Sequence, residues 1–169
     1  MKLIGIGGVS RSGKSELAQN LHTHYESQGK KVKILDQDKF IVDKRQIPRI
    51  KDRRDWEHPD SINWKTLSNE FYLQDNYDLK IVEGIFAFTK PEIARLFEKK
   101  IFIKISKETF LNRKSLDTRW GDEPQRYIEH IWESHIKFGI PEDPDIALNG
   151  DEKFNIKEIV KCLDLFHLT

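Results

Sequence analysis

The chain predicts an α/β fold: a mostly parallel five-stranded sheet with helices on both faces. Three observations carry this expectation. Short apolar runs rich in β-branched residues alternate with stretches of helical spacing along the chain. A turn rich in glycine and serine, Gly8-Val9-Ser10-Arg11-Ser12-Gly13-Lys14-Ser15, separates the first such run from the first helical stretch. With 169 residues and no shift in composition, 1–169 reads as one domain with a proper core.

The elements follow in order. Lys2–Gly7 is a short buried strand, and Leu17, Ala18, Leu21 and Tyr25 have the spacing of a helix beginning near Ser15. After Gly29 a second strand is expected at Lys31–Asp36. The stretch from Asp43 to Asp60 holds Lys44, Arg45, Arg49, Lys51, Arg53 and Arg54. It is too charged for core and reads as a loop, either a solvated surface or a substrate-facing one. Ser61 is expected to cap a helix carrying Ile62, Leu67, Phe71 and Tyr72. A third strand is expected at Leu79–Glu83, a short helix opened by Pro91, and a fourth strand at Lys100–Ile105. Two charged helical segments, about 107–118 and 123–137, precede the breaks at Pro141 and Pro144. A last strand near Ile146–Leu148 and a C-terminal helix from about Ile156 complete the pattern.

Charge and composition narrow the partners. Basic and acidic residues number 29 and 28, a balance that gives no electrostatic reason to expect nucleic acid or a membrane. Cys162 is the single cysteine, so no disulfide forms within the chain; its helical neighbours make it a packing residue. The N-terminal apolar run is too short for a signal peptide, and no segment approaches membrane-spanning length. Cytoplasmic residence is the expectation.

The turn at 8–15 fits G-x-x-x-x-G-K-[ST], a phosphate-binding loop. Its glycines let the backbone of Gly8, Ser10, Arg11, Ser12 and Gly13 wrap a phosphate, and the following helix N-terminus adds favourable potential for anions. Lys14 is then expected at the β- and γ-phosphates of a nucleotide such as ATP, and the Ser15 hydroxyl on Mg²⁺.

Ligands in parallel sheets collect at the carboxyl ends of the strands. Two acidic sites fall there: Asp36 and Asp38 after the second strand, and Glu83 at the end of the third. Phosphoryl transfer needs a carboxylate to position the acceptor hydroxyl and take its proton, and an acidic group near the metal. Asp38 suits the first role. Glu83 suits the second, because a carboxylate following Ile81-Val82 in a buried strand is costly without a cation or partner. His58, His130 and His135 fit no usual zinc spacing, and the last two point to different helix faces.

These residues resemble the uridine kinase and phosphoribulokinase superfamily over nearly the whole chain, with segments most similar to the nicotinamide riboside kinases. The resemblance implies a three-layer P-loop kinase fold with a small helical lid at about 107–127. Gln37-Asp38-Lys39-Phe40 is similar to the family's Gln-Asp-Asp-Phe, which makes Asp38 the catalytic base and places Phe40 beside the substrate. Asp55-Trp56-Glu57-His58-Pro59-Asp60 resembles Asn-Phe-Asp-His-Pro-Asp, whose central Asp binds ribose hydroxyls; this chain has Glu57 there, one methylene longer, with Trp56 alongside. Ile81-Val82-Glu83-Gly84 matches Val-Glu-Gly, where the Glu serves the metal. The run from Arg113 to Arg119 is similar to the arginine-rich lid. Arginine suits that lid because its planar fork holds several phosphate oxygens at once. The resemblance gives Arg113 a catalytic role and Arg119 a place on the sugar. Tyr127 or Trp120 can stack on a planar base, although aromatic residues at helical spacing also serve as core. Leu148-Asn149-Gly150 falls where the family places its loop near adenine.

The function so implied is ATP- and Mg²⁺-dependent phosphorylation of a nucleoside 5′-hydroxyl, with nicotinamide riboside as first choice and uridine or cytidine as second. A nucleotide-binding switch without an acceptor is the third reading. It is disfavoured by the presence of both Asp38 and the lid arginines, and a GTPase would carry an Asn-Lys-x-Asp run that is absent.

Overall fold

A computed structural model describes residues 1–117, 121 and 123–166. Its main sheet has five strands: β1 (Lys2–Gly8), β2 (Val32–Asp36), β5 (Leu79–Gly84), β6 (Lys99–Lys104) and β7 (Ile146–Asn149). They lie in the order β2-β5-β1-β6-β7, and every pairing is parallel. Strands buried on both faces need apolar side chains on both, which is why these segments read as apolar runs rather than alternations. The short strands β3 (Arg49–Ile50) and β4 (Arg53–Arg54) form a separate antiparallel hairpin. It lies inside the charged 43–60 stretch, which the sequence offers only as loop.

The helices are α1 (Lys14–Ser27), α2 (Trp64–Tyr72), α3 (Pro91–Ala94), α4 (Lys107–Ser115), α5 (Gln125–Ser134) and α6 (Ile156–Leu163). A π-helical turn, His135–Gly139, extends α5. On one face of the sheet, Leu17, Leu21 and Tyr25 of α1 and Ile159 and Leu163 of α6 pack on Ile4, Ile6, Ile81, Ile101 and Ile103. On the other, Leu67 and Phe71 of α2 meet Leu3, Leu35, Val82, Phe86 and Phe97. Neighbours Leu3/Ile4 and Ile81/Val82 thus serve opposite layers, as the pleat requires. A third small cluster of Val9, Phe110, Tyr127 and Ile131 joins α4 and α5 to the turn after β1.

Two local expectations are corrected. Ser61 does not cap α2. It closes a 3₁₀ turn, Pro59–Ser61, is fully buried, and donates its hydroxyl to the Trp56 carbonyl at 3.1 Å. Asn63 is the cap, accepting from the Thr66 N–H at 3.0 Å. The tight turn uses the residues that would otherwise start the helix. Cys162 is exposed rather than packed, because Ile159 and Leu163 take the inward face of α6. Among the described residues, no helix is long and apolar enough to cross a membrane.

Because all five strands run the same way, Gly8, Asp36, Gly84, Lys104 and Asn149 end at one edge of the sheet. The chain leaves β1 toward β2 on one side, returns to β5, and then crosses to β6 on the other. The crevice at that reversal is where open α/β sheets bind ligands.

Candidate active site

The turn from Gly8 to Ser15 occupies that crevice. Gly8 has φ 151° and Gly13 φ 102°, conformations that side chains other than glycine's rarely adopt. A Cβ on Gly8 would also lie 2.6 Å from the Ser12 hydroxyl. The Ser12 N–H closes the turn on the Val9 carbonyl at 3.1 Å. Gly13 is the N-cap of α1 and offers no side-chain cap, so the first-turn N–H groups are left for an anion. Ser12 Oγ is itself buried without a hydrogen-bond partner. Ser10 is half-buried, and Arg11 is exposed with a left-handed φ of 64°.

Lys14 belongs to the same turn but is buried, with its ammonium donating to the Val9 carbonyl at 3.0 Å. Burial pushes its pKa down. The carboxylates of Glu83, Asp38, Glu57 and Asp36 oppose that shift. Four acidic groups from three segments therefore act on one lysine. Parallel pairing sets Asp36 directly beside Glu83. The Ser15 hydroxyl donates to Glu83 Oε1 at 2.8 Å. Glu83 is only 5% exposed; burial raises its pKa, and Lys14 and the Ser15 bond pull it back. Two hard oxygen donors thus stand at the phosphate end of the crevice, a donor set that suits Mg²⁺, which keeps several waters and needs one or two carboxylates.

The exposed Asp38 lies in a 3₁₀ turn after β2, where the Asp36 carboxylate caps its N–H at 3.1 Å. Between them Gln37 is buried, and its carbonyl oxygen accepts from the Phe86 N–H at 2.9 Å. This bond ties the turn carrying Asp38 to the segment following Glu83. Phe40 is half-buried against the apolar layer under α2, and Trp56 stands exposed at the rim. Glu57 is half-buried, with Oε2 shielded and unpartnered. Burial, together with the neighbouring Asp38, pushes its carboxyl up to about 7, while Lys114 pulls the other way.

The lid region brings in residues that the sequence reading missed. Lys114 is 5% exposed and pairs with Glu123 at 2.6 Å and Asp117 at 3.8 Å. One signal for it exists in the sequence: Phe110 and Lys114 are four apart, so the buried face of α4 carries both. Arg113, the expected catalytic arginine, donates to the Arg11 carbonyl at 3.0 Å and to the Gly150 carbonyl at 2.8 Å. It therefore ties α4 to the phosphate loop and to the end of β7. Tyr127 is core, as its spacing allowed, with the Arg53 guanidinium 4.5 Å above its ring. Arg119 and Trp120 lie outside the described residues.

The histidines have separate duties. His58 Nδ1 accepts from the Asp60 N–H at 3.2 Å, and His130 pairs with Asp55 at 2.8 Å. His135 stacks on Phe102, and burial pushes its pKa down to about 4, with the charge on Lys14 adding to the shift.

Comparison with known proteins agrees with this picture. No protein-family model matches the chain. It is 26% identical to uridine-cytidine kinase 2-B of Danio rerio, over 86% of this chain and 68% of that one. It is 28% identical to uridine kinase of Chlamydia pneumoniae (92% and 85%) and 20% to nicotinamide riboside kinase of Saccharomyces cerevisiae (94% and 87%). Among solved structures it is similar to the Mycobacterium tuberculosis APS kinase CysC in complex with AMPPNP and APS. That likeness has a TM-score of 0.65 and 17% identity, over 96% of this chain and 97% of that one. A second likeness is to shikimate kinase of Aquifex aeolicus, with a TM-score of 0.55 and 21% identity over 96% of each chain. The fold, a parallel five-stranded sheet layered with helices and carrying the phosphate-loop motif after β1, matches that of P-loop kinase structures. In sequence the chain is similar to uridine kinases and nicotinamide riboside kinases, at 20% to 28% identity.

Proposed function

We propose that this protein transfers the γ-phosphoryl group of ATP to the 5′-hydroxyl of a nucleoside, with nicotinamide riboside as the first acceptor to test. The coarser statement, a phosphotransferase with an alcohol acceptor, rests on the kinase relatives. The observation that carries the site reading is the Ser15–Glu83 bond beside Lys14, with Asp38 and Glu57 acting on the same lysine charge.

The residues fit both cofactors. The uncapped start of α1, the left-handed glycines and the buried, unpartnered Ser12 hydroxyl suit phosphate oxygens. Ser15 and Glu83 would hold Mg²⁺. When bound, ATP supplies the phosphoryl group, and Mg²⁺ offsets its charge. Lys14, faced by four carboxylates that oppose the lowering of its pKa, neutralises phosphate oxygens. Asp38 orients the acceptor hydroxyl and takes its proton, and Glu57 holds the sugar. Phe40 and Trp56 flank the acceptor, and Tyr127 supports that wall from the core. Arg113 acts on the phosphates through its hold on the loop backbone. Arg119 completes the sugar contacts. The reaction belongs in the cytoplasm, on a small-molecule acceptor, with no nucleic acid or membrane partner.

A pyrimidine nucleoside is the second reading, favoured by the names of the Danio rerio and Chlamydia pneumoniae relatives. The test is ADP release from ATP and Mg²⁺ across a panel of pyridine and pyrimidine nucleosides, with the product analysed for the position of the phosphate. Acceptor-dependent release giving a 5′-phosphate is the expected result. Release that no nucleoside stimulates would overturn the reading.

A further inference from the structure

We propose that His130 and Ser134, one turn apart on α5, are positioning residues that clamp the backbone of Glu57 from both sides and so aim its carboxylate at the acceptor. The inference rests on the acceptor role given to Glu57 above.

The geometry is specific. The Glu57 N–H donates to Asp55 Oδ1 at 3.1 Å. The same oxygen receives His130 Nε2 at 2.8 Å. An ionised carboxylate only accepts, so Nε2 carries the proton and His130 is the donor. On the other side of the residue, Ser134 Oγ donates to the Glu57 carbonyl. Both polar groups of one peptide unit pair are thus held by one helix, the N–H through Asp55 and the carbonyl directly. Residues 130 and 134 are i and i+4, so they project from a common face. Asp55 is 6% exposed and Ser134 3%, so water does not replace these bonds cheaply.

The rest of α5 secures the same strip of chain. Arg126 pairs with Asp52 at 3.0 Å, and the Tyr127 ring lies beneath Arg53 at 4.5 Å. The hairpin and the segment running to Glu57 are therefore borne by α5, whereas Lys14 and Asp38 follow strand ends of the sheet and Glu83 lies in β5. Glu57 makes no side-chain bond through Oε2 that would set its direction. Its aim is inherited from its backbone, which the clamp holds together with the Ser61 hydroxyl on the Trp56 carbonyl. Such a device also accounts for a longer acid at this position: a glutamate has one more rotatable bond than an aspartate, and fixing the peptide recovers part of the lost definition.

The test combines kinetics with hydrogen exchange on the full chain. His130→Ala and Ser134→Ala are expected to raise the acceptor KM about tenfold each, with the nucleotide KM and kcat within about twofold. His130→Gln, which restores a donor toward Asp55, should recover most of the loss. In a Glu57→Ala background, adding His130→Ala should change the acceptor KM by less than about twofold, because the clamp then has nothing to aim. Exchange at the Glu57 amide should quicken in both alanine variants while the phosphate loop stays as in wild type. Equal losses in kcat and both KM values, additivity with Glu57→Ala, or unchanged exchange at Glu57 would each overturn the clamp. A wild-type protein that phosphorylates no nucleoside would remove the acceptor role instead, and exchange at Glu57 would still decide whether the clamp exists. If His130→Ala does not fold, His130→Gln against Ser134→Ala carries the same comparison.

Discussion

Lys14 shows how single residues set this site. It is a buried amine whose pKa is lowered by desolvation, a shift that the surrounding carboxylates oppose. Lys14→Ala removes the group assigned to the phosphates in the proposed reaction, and turnover is expected to fall by roughly 10²-fold or more while circular dichroism stays native. Near-normal activity would refute the phosphate-loop role. In the proposed reaction Asp38 and Glu57 divide the acceptor side. Asp38→Asn keeps shape but loses the proton acceptor, and it should lower kcat by about 10²-fold with little change in KM. Glu57→Ala should chiefly raise the acceptor KM. Because the Glu57 carboxyl is pushed up to about 7, acceptor kcat/KM is expected to rise through neutral pH in wild type, and Glu57→Gln should lose that step.

At the scale of elements, the ties between helices and loops decide what each substitution means. Arg113 is bonded to carbonyls of the phosphate loop and of Gly150. Arg113→Ala is therefore expected to lower stability of the ligand-free protein by about 1–2 kcal/mol, read as a drop in Tm. An arginine that acted only on phosphates would leave the ligand-free Tm unchanged. The start of α2 gives a contrast. Asn63→Ala removes the cap at the Thr66 N–H and should cost about 1 kcal/mol, with both KM values unchanged. Ser61→Ala tests the corrected assignment, since a buried hydroxyl bonded to the Trp56 carbonyl reports on the 3₁₀ turn and not on the helix.

For the molecule as a whole, the half-buried Glu57 and the buried His135 give stability a pH dependence of opposite sign. The folded-state pKa of Glu57 is raised from 4.5 to about 7, so the native protein binds more protons than the unfolded chain between these values. Its contribution is present below about 4.5 and is lost as pH rises through about 7. The folded-state pKa of His135 is lowered from 6.5 to about 4, so the unfolded chain binds more protons there. Stability from that source is lost as pH falls from about 6.5 toward 4. Glu57→Gln should therefore make Tm climb more steeply with pH across this window, and His135→Gln should make it climb less. Thermal scans between pH 4.5 and 7 check both, and parallel profiles for all three proteins would refute the assignment.

The glycine turn after β1, the five strands and the need of the buried Glu83 for a partner were legible in the amino-acid sequence because each depends on local chemistry. A left-handed turn demands glycine, a two-faced buried strand demands an apolar run, and a carboxylate after Ile81-Val82 needs a partner. The resemblance of Gln37–Phe40 and Asp55–Asp60 to family segments added Asp38 and Glu57. Only the tertiary structure decided what holds those residues. Lys114 looks like one more charge on a charged helix until Glu123 and Asp117 close around it. Cys162 and Leu163 are neighbours of similar apolar character, and packing alone chose which faces the core. The pairings of His130 and Ser134 with the segment around Glu57 join residues more than 70 positions apart. No periodicity or motif encodes such a contact, because it exists only once α5 and the 49–57 segment lie against each other.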